Sequence, residues 1–202
     1  MSCFPFFADL EGKKGLIIGG GTVALRKIEK LLPYGPELTV AAPEILPSIA
    51  ALPGLTLCRR EFQAADLTEM SFVIAAASDR EANRRAAVLC KARNIPVNAA
   101  DDPEACTFYF PALVKHGPLT IGISTGGASP AAAAYLREQI AAALPDHLEE
   151  ILEYLARIRP AVKGCPDAGA VFRRLLAVCL EHGRGLTEEE FREVLERGEQ
   201  ES

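Results

Sequence analysis

The segment that most restricts the fold is Gly19-Gly20-Gly21-Thr22-Val23-Ala24. It lies between an apolar run, Gly15-Leu16-Ile17-Ile18-Gly19, and a helical pattern from Val23 to Leu32 that ends before Pro33. A buried strand that turns through glycines directly into a helix matches G-x-G-x-x-A, the opening of a dinucleotide-binding βαβ unit. In that unit Gly19 makes the tight turn and Gly21 lets backbone approach a pyrophosphate. Thr22 and Val23 open the helix whose N-terminus receives the charge, and the small Ala24 lets helix and strand pack closely. The competing reading is a glycine-rich turn without a ligand.

The alternation continues. Glu37–Ala41, Leu55–Cys58, Phe72–Ala76 and Ile95–Asn98 read as further strands, and Asp79–Arg93 as a polar-faced helix with Ser78 or Asp79 as its N-cap. Apolar strands alternating with helices predict a parallel sheet covered on both faces. The pattern then changes. Phe108–Val114 and Leu119–Ser124 flank Lys115-His116-Gly117-Pro118, a hairpin signal. Ser129-Pro130 opens an Ala-rich helix to about Leu144, with Ser as N-cap and Pro at the first helical position. Helical patterns follow over His147–Arg159, Ala168–Glu181 and Thr187–Arg197, the last opened by the capping box Thr187-Glu188-Glu189-Glu190. The expected architecture is α/β. A Rossmann-like parallel-sheet domain (1–112) is followed by a small α+β dimerisation segment of hairpin plus helix (113–145) and a C-terminal helical domain (146–202).

The second strand ends Val40-Ala41-Ala42-Pro43-Glu44. Dinucleotide-binding folds place an acid near this strand tip for the adenine ribose, about 20 residues after the glycines. Glu44 is the nearest acid and sits one step late, so it either binds the ribose or is simply solvated. No Lys or Arg follows the strand at once to meet a 2′-phosphate, which favours NAD over NADP.

Several residue groups in order resemble the precorrin-2 dehydrogenase module of siroheme synthases. They are Ile17 to Ala24 with Arg26-Lys27, Ala75-Ala76-Ala77-Ser78-Asp79, and Val97-Asn98-Ala99-Ala100-Asp101-Asp102-Pro103. Thr107 to Ala112 and Ile123 to Pro130 complete the set. The ordered set spans roughly residues 4 to 147; beyond it the chain matches only in being helical. With no methyltransferase segment following, the resemblance is to the stand-alone form. It implies NAD-dependent oxidation of precorrin-2 to sirohydrochlorin, toward siroheme or cobalamin. Some members also insert ferrous iron into the product. It further implies a homodimer built on the segment after the nucleotide domain, with the tetrapyrrole cleft nearby. A non-catalytic NAD-binding module is a third reading, opposed by the intact Asn98-x-x-Asp101 and Ser124-Thr125-Gly126-Gly127.

The resemblance carries the catalytic Asp to Asp101, which ends the fifth strand where ligands of parallel sheets bind. Its carboxylate would take the proton when a hydride leaves for nicotinamide, and would serve iron insertion by stripping pyrrole N–H protons. By its residues alone, Asp101 before Asp102-Pro103 also reads as a turn former. Cofactor contacts fall on Gly19, Gly21, Thr22, Val23, Ala24, Pro43, Glu44, Ala77 and Asn98. Asn98 reads equally as an Asx-turn residue. Ser124, Thr125 and Gly126 precede a helix and would cradle a substrate carboxylate, or form an ordinary N-terminal turn. Precorrin-2 is a polycarboxylate, so Lys115, His116 and Arg137 are candidates to hold it. The Ala-rich helix carries Ala131 to Ala134 where the family often bears a further basic residue.

Composition excludes other classes. The net charge is −5, and the acidic stretch Thr187–Ser202, with seven Glu and two Arg, accounts for all of it. A neutral body with no Trp offers neither a basic groove nor a stacking platform for nucleic acid. The start Met1–Leu10 lacks a basic then apolar secretory pattern, and no apolar run approaches the ~20 residues of a membrane span. Cys3, Cys58, Cys90, Cys106, Cys165 and Cys179 contain no C-x-x-C, so no metal site is expected. The expectation is reduced thiols in a cytoplasmic protein.

Overall fold

Strand β1 (Lys14–Ile18) is buried from Leu16 to Ile18 and pairs on both sides, which makes it central. Side chains on a strand point alternately to opposite faces. Ile17, Val40 and Ile74 accordingly enter one apolar cluster, and Leu16, Ile18, Ala41, Val73 and Ala75 another. The computed structural model describes residues 3–165 and 167–200. It divides into two compact units, Phe6–Phe110 and the chain from Pro111 onward together with the first residues.

In the first unit five parallel strands follow the order β3-β2-β1-β4-β5, with β2 Glu37–Ala41, β3 Leu55–Cys58, β4 Phe72–Ala75 and β5 Val97–Ala99. Helix α1 (Thr22–Leu31) links β1 to β2 and sends Ala24, Ile28 and Leu31 into the first cluster. This is an i, i+4, i+7 stripe, the period of a helix that covers a sheet. A short helix, α2 (Pro47–Ala50), adds Ile49 to the same face. Helix α3 (Arg80–Ala92) links β4 to β5 and covers the opposite face with Ala86, Ala87 and Cys90. The β3–β4 connection is instead a 3₁₀ turn, Ala64–Leu67, anchored by buried Leu67 and by Arg60, which grips Asp66 through two nitrogens at 2.8 and 2.6 Å.

The second unit opens with the antiparallel hairpin β6 (Ala112–His116) and β7 (Leu119–Ile123), followed by α4 (Pro130–Ala143). Helices α5 (Leu148–Val162), α6 (Ala168–His182) and α7 (Glu188–Gln200) follow. They share a core of Ile151, Tyr154, Val162, Val171, Leu175, Cys179 and Leu186.

Three local expectations change. The first hairpin strand begins at Ala112 rather than Phe108, because Pro111 has no N–H to donate and Phe108 and Phe110 pack against the α1 cluster instead. The turn is only Gly117-Pro118, since His116 pairs with Leu119. Helix α5 passes through Pro160 to Val162. Val162 is fully buried, and that packing outweighs one missing helical bond.

Candidate functional site

The β1, β2, β4 and β5 ends lie in register: Ile18 pairs with Ala41 and Ala75, and Ala75 with Ala99. The residues after each strand, Gly19, Pro43-Glu44, Ala76-Ala77 and Asp101, therefore emerge along one edge. Strand order reverses there: β1 leads to β2 on one side, and β4 and β5 lie on the other. Ligands of open parallel sheets bind outside the carboxyl ends at such a reversal.

Each glycine of the turn has a distinct task. Gly19 has φ of 117°, and a Cβ there would come within 2.6 Å of the Ala76 carbonyl carbon. A Cβ on Gly20 would collide with the Glu44 carbonyl oxygen, and the Gly20 carbonyl accepts from Leu46 N at 3.0 Å. Gly19 and Gly20 thus let three strand-end segments approach closely. Gly21 differs: it is the N-cap of α1 at ordinary φ of −92°, and a Cβ there meets nothing within 4 Å. No side chain caps the helix and no acid stands in its first turn. The first-turn amides of Thr22, Val23 and Ala24 lack intrahelical acceptors and carry the positive end of the helix dipole. This arrangement fits a dinucleotide pyrophosphate. Ala77 is pinned from both sides by buried Asn83, whose Oδ1 accepts from Ala77 N and whose Nδ2 donates to Ala77 O, each at 2.9 Å. Pro43 and Glu44 are exposed at the β2 tip.

Beyond β5 the chain loops back on itself. Thr107 N donates to Val97 O at 2.8 Å, and Val97 N donates to Thr107 Oγ1 at 2.8 Å. Asn98 is buried, and its Nδ2 donates to Phe108 O at 3.0 Å and contacts Cys106 Sγ at 3.5 Å. The Cys106 sulfur accepts from Ala99 N and lies 3.2 Å from Ala99 O and 3.3 Å from Asp102 O. At the head of this loop Asp101 is exposed with φ of 58°, a left-handed conformation that Asp tolerates better than most residues. Asp102 turns elsewhere. It pairs with Arg84 Nε at 3.1 Å and accepts from Ala105 N at 3.3 Å; the Arg84 bond leads the lowering of its pKa. On α1, the Lys27 ammonium lies 3.9 Å from the centre of the Phe110 ring. Its pKa falls to about 8 because burial disfavours the charge, with Cys106 and Asp101 pulling the other way.

The second unit holds the remaining candidates. Lys115 Nζ donates to Gly117 O across the turn, and Lys115 pairs with Thr120 in register. His116 closes the hairpin opposite Leu119. Ser124 Oγ accepts from Gly126 N at 3.2 Å. Thr125 Oγ1 accepts from Ser129 N and donates to Ser129 O, each at 3.1 Å, while Ser129 Oγ caps α4 by accepting from Ala132 N. Arg137 pairs with Glu138 at 2.9 Å. Sequence reasoning missed Asn83, Cys106 and Lys27 as parts of the edge. Only Lys27 left a signal, a cation beside the apolar stripe Ala24-Ile28-Leu31.

Among the described residues no group of His, Cys, Asp and Glu is arranged to hold a metal, and no helix is long and apolar enough to cross a membrane. A five-stranded parallel sheet with a glycine turn feeding an uncapped helix at its reversal point defines a Rossmann-type dinucleotide-binding protein. A family model agrees over residues 6–112, and the chain belongs to that family, described as "Putative NAD(P)-binding". A second model, "Sirohaem biosynthesis protein central", matches residues 116–143.

Relatives point the same way. The siroheme synthase of Neisseria meningitidis serogroup C / serotype 2a is 40% identical over 167 residues, 81% of this chain and 35% of that protein. The siroheme synthase of Pseudomonas entomophila is 38% identical over 171 residues, 83% of this chain and 37% of that one. The chain thus spans about a third of the length of the curated relatives it matches. A solved structure described as SirC, precorrin-2 dehydrogenase, superposes with a TM-score of 0.71 at 25% identity, covering 98% of this chain and 100% of that one.

Proposed function

We propose that the chain oxidises precorrin-2 to sirohydrochlorin, with NAD as hydride acceptor. The observation that carries the reading is Asp101. An exposed carboxylate, in a loop braced by Asn98, Cys106 and Thr107, stands on the same sheet edge as the pyrophosphate turn. It is two strands from β1, roughly 10 Å at ordinary strand spacing, on the side away from β2. The similarity to SirC, described as a precorrin-2 dehydrogenase, and to siroheme synthases supports the substrate.

Bound NAD supplies one thing, an acceptor for a hydride from the reduced macrocycle. The chain's residues do the rest. Gly21 and the first-turn amides of Thr22, Val23 and Ala24 hold the pyrophosphate; Pro43 and Glu44 lie at the ribose side. The Asn83 clamp fixes Ala77 beside Gly19, and Asn98 positions the loop that bears Asp101. Asp101 takes the proton released as the hydride departs. Ser124, Thr125, Gly126, Lys115, His116 and Arg137 are the proposed contacts for the substrate's carboxylates, though the Thr125 hydroxyl already serves Ser129.

The same reading assigns residues 1–112 to nucleotide binding, 113–145 to dimerisation and 146–202 to a helical domain, and it makes the protein a cytoplasmic homodimer. Support for the homodimer comes from α4. Of its 14 residues only Ala133 is buried, while Tyr135 and Leu136 are 61% and 42% exposed. Six unpaired cysteines accord with a reducing compartment.

The test is anaerobic incubation of the protein with precorrin-2 and NAD, watched by absorbance, with ferrous iron added afterwards. Sirohydrochlorin should form only with NAD present. No conversion would sink the reading, and a spectral change that requires iron and protein together would add chelation to it.

A further inference from the structure

Lys27 is a half-buried cation whose ammonium meets no carboxylate or carbonyl among the described residues; its one close partner is the Phe110 ring. A ring face attracts an ammonium but accepts no strong hydrogen bond, and withdrawing a cation from water without acceptors is costly. Burial pushes the Lys27 pKa down to about 8. Lys30 and Arg26 on the same helix lower it further, and Cys106 and Asp101 across the edge raise it. The ring that holds Lys27 is itself fixed, since Phe110 packs with Ala100 and Phe108 on the cluster that receives Ala24, Ile28 and Leu31 of α1. An under-bonded cation therefore rests on the Phe110 ring, and Asp101 acts on its charge.

We infer that Lys27 receives a carboxylate of the substrate beside Asp101, as a binding residue contributed by the nucleotide unit itself. This inference rests on the proposed oxidation of a polycarboxylate tetrapyrrole. An anionic substrate brought against Asp101 meets like-charge repulsion, and an ammonium that binds the substrate offsets it. The unmet N–H donors of Lys27 gain a charged acceptor, and such bonds are the strong ones. Binding then requires the protonated amine. Affinity should be full below about pH 8 and fall as pH rises through that value.

The experiment is a titration of the full chain with sirohydrochlorin, followed by tryptophan-independent absorbance or macrocycle fluorescence, for wild type, K27M and K27R. Thermal melts and NAD titrations check that each variant is folded. Wild-type affinity should drop severalfold between pH 7 and pH 9.5. K27M should bind about tenfold more weakly at pH 7, the size of one charge-assisted bond, and lose the pH dependence. K27R should bind well at both pH values, because a guanidinium stays charged. With precorrin-2, K27M should raise KM far more than it lowers kcat. K27M affinity within twofold of wild type overturns the inference. So does wild-type affinity that stays flat to pH 9.5, which decides the matter even if K27M fails to fold. If wild type neither binds sirohydrochlorin nor oxidises precorrin-2, the proposed function falls and this inference with it. Oxidation by wild type with K27M unchanged removes the inference alone.

Discussion

Single residues separate architecture from chemistry at the glycine turn. Gly21 has ordinary backbone angles and open space where a Cβ would stand. Gly21→Asp should therefore fold while placing a negative charge at the pyrophosphate. Isothermal titration should show NAD binding reduced at least tenfold, with the melting temperature nearly unchanged. Gly19→Ala should do the reverse, because φ of 117° and the Ala76 backbone leave no room for a methyl. Loss of folded protein by circular dichroism is the expected result. Asp101→Ala should cost about 10²- to 10⁴-fold in precorrin-2 oxidation, the usual contribution of a general base, with NAD affinity intact. Asp102→Ala should cost far less turnover, since that carboxylate serves Arg84 and Ala105 N. A dead Asp102→Ala beside an active Asp101→Ala would move the base by one residue. The turn glycines were legible because backbone geometry demands them there, whereas Asp101 was singled out through the family resemblance, since by its residues alone it also reads as a turn former. Asn83 and Cys106 were not legible, because their partners at Ala77 and Ala99 are fixed by how a helix and a loop pack on the sheet.

Elements follow local pattern until tertiary packing competes with it. The apolar run Phe108–Val114 reads as one strand, yet only Ala112 onward pairs, because Pro111 cannot donate and the two phenylalanines find a better site over α1. The helical pattern reads only to Arg159, yet α5 continues through Pro160, because Val162 is needed in the helical core. The capping box at α7 behaves as its sequence promises. Glu190 accepts from Thr187 N at 2.7 Å, and Arg184 grips it at 2.9 and 2.8 Å. His182 Nδ1 stands 3.3 Å away. The Arg184 bond leads in lowering the Glu190 pKa from 4.5 to about 2. A carboxylate with a depressed folded pKa stabilises above its unfolded value, and that contribution is lost as pH falls toward the folded one. Amide exchange in α7, corrected for the intrinsic rate at each pH, should therefore quicken between about pH 4.5 and pH 2. Glu190→Gln should quicken it already at pH 7 and flatten the acid change. Because the network is exposed, the effect should shrink in high salt.

At the scale of the whole molecule, α4 is the element the single chain leaves least explained. Fourteen residues with one buried, and with Tyr135 and Leu136 exposed, form a face that a second copy would cover. Multi-angle light scattering at micromolar concentration should report a dimer, and Tyr135→Glu with Leu136→Glu should shift it to monomer without lowering helix content. A wild-type monomer would contradict this. The sequence alone determined the parallel sheet and the glycine turn that leads from β1 into α1. Each follows from short-range rules: apolar runs with period 2 or 3.6, glycine where a Cβ cannot fit, and a helix opening directly from a strand. Tertiary structure alone decided that β5 lies two strands from β1, that Thr107 and Cys106 brace the Asp101 loop, and that Lys27 settles on the Phe110 ring. These depend on strand order and on contacts between segments up to about 80 residues apart, whose energies no local pattern encodes.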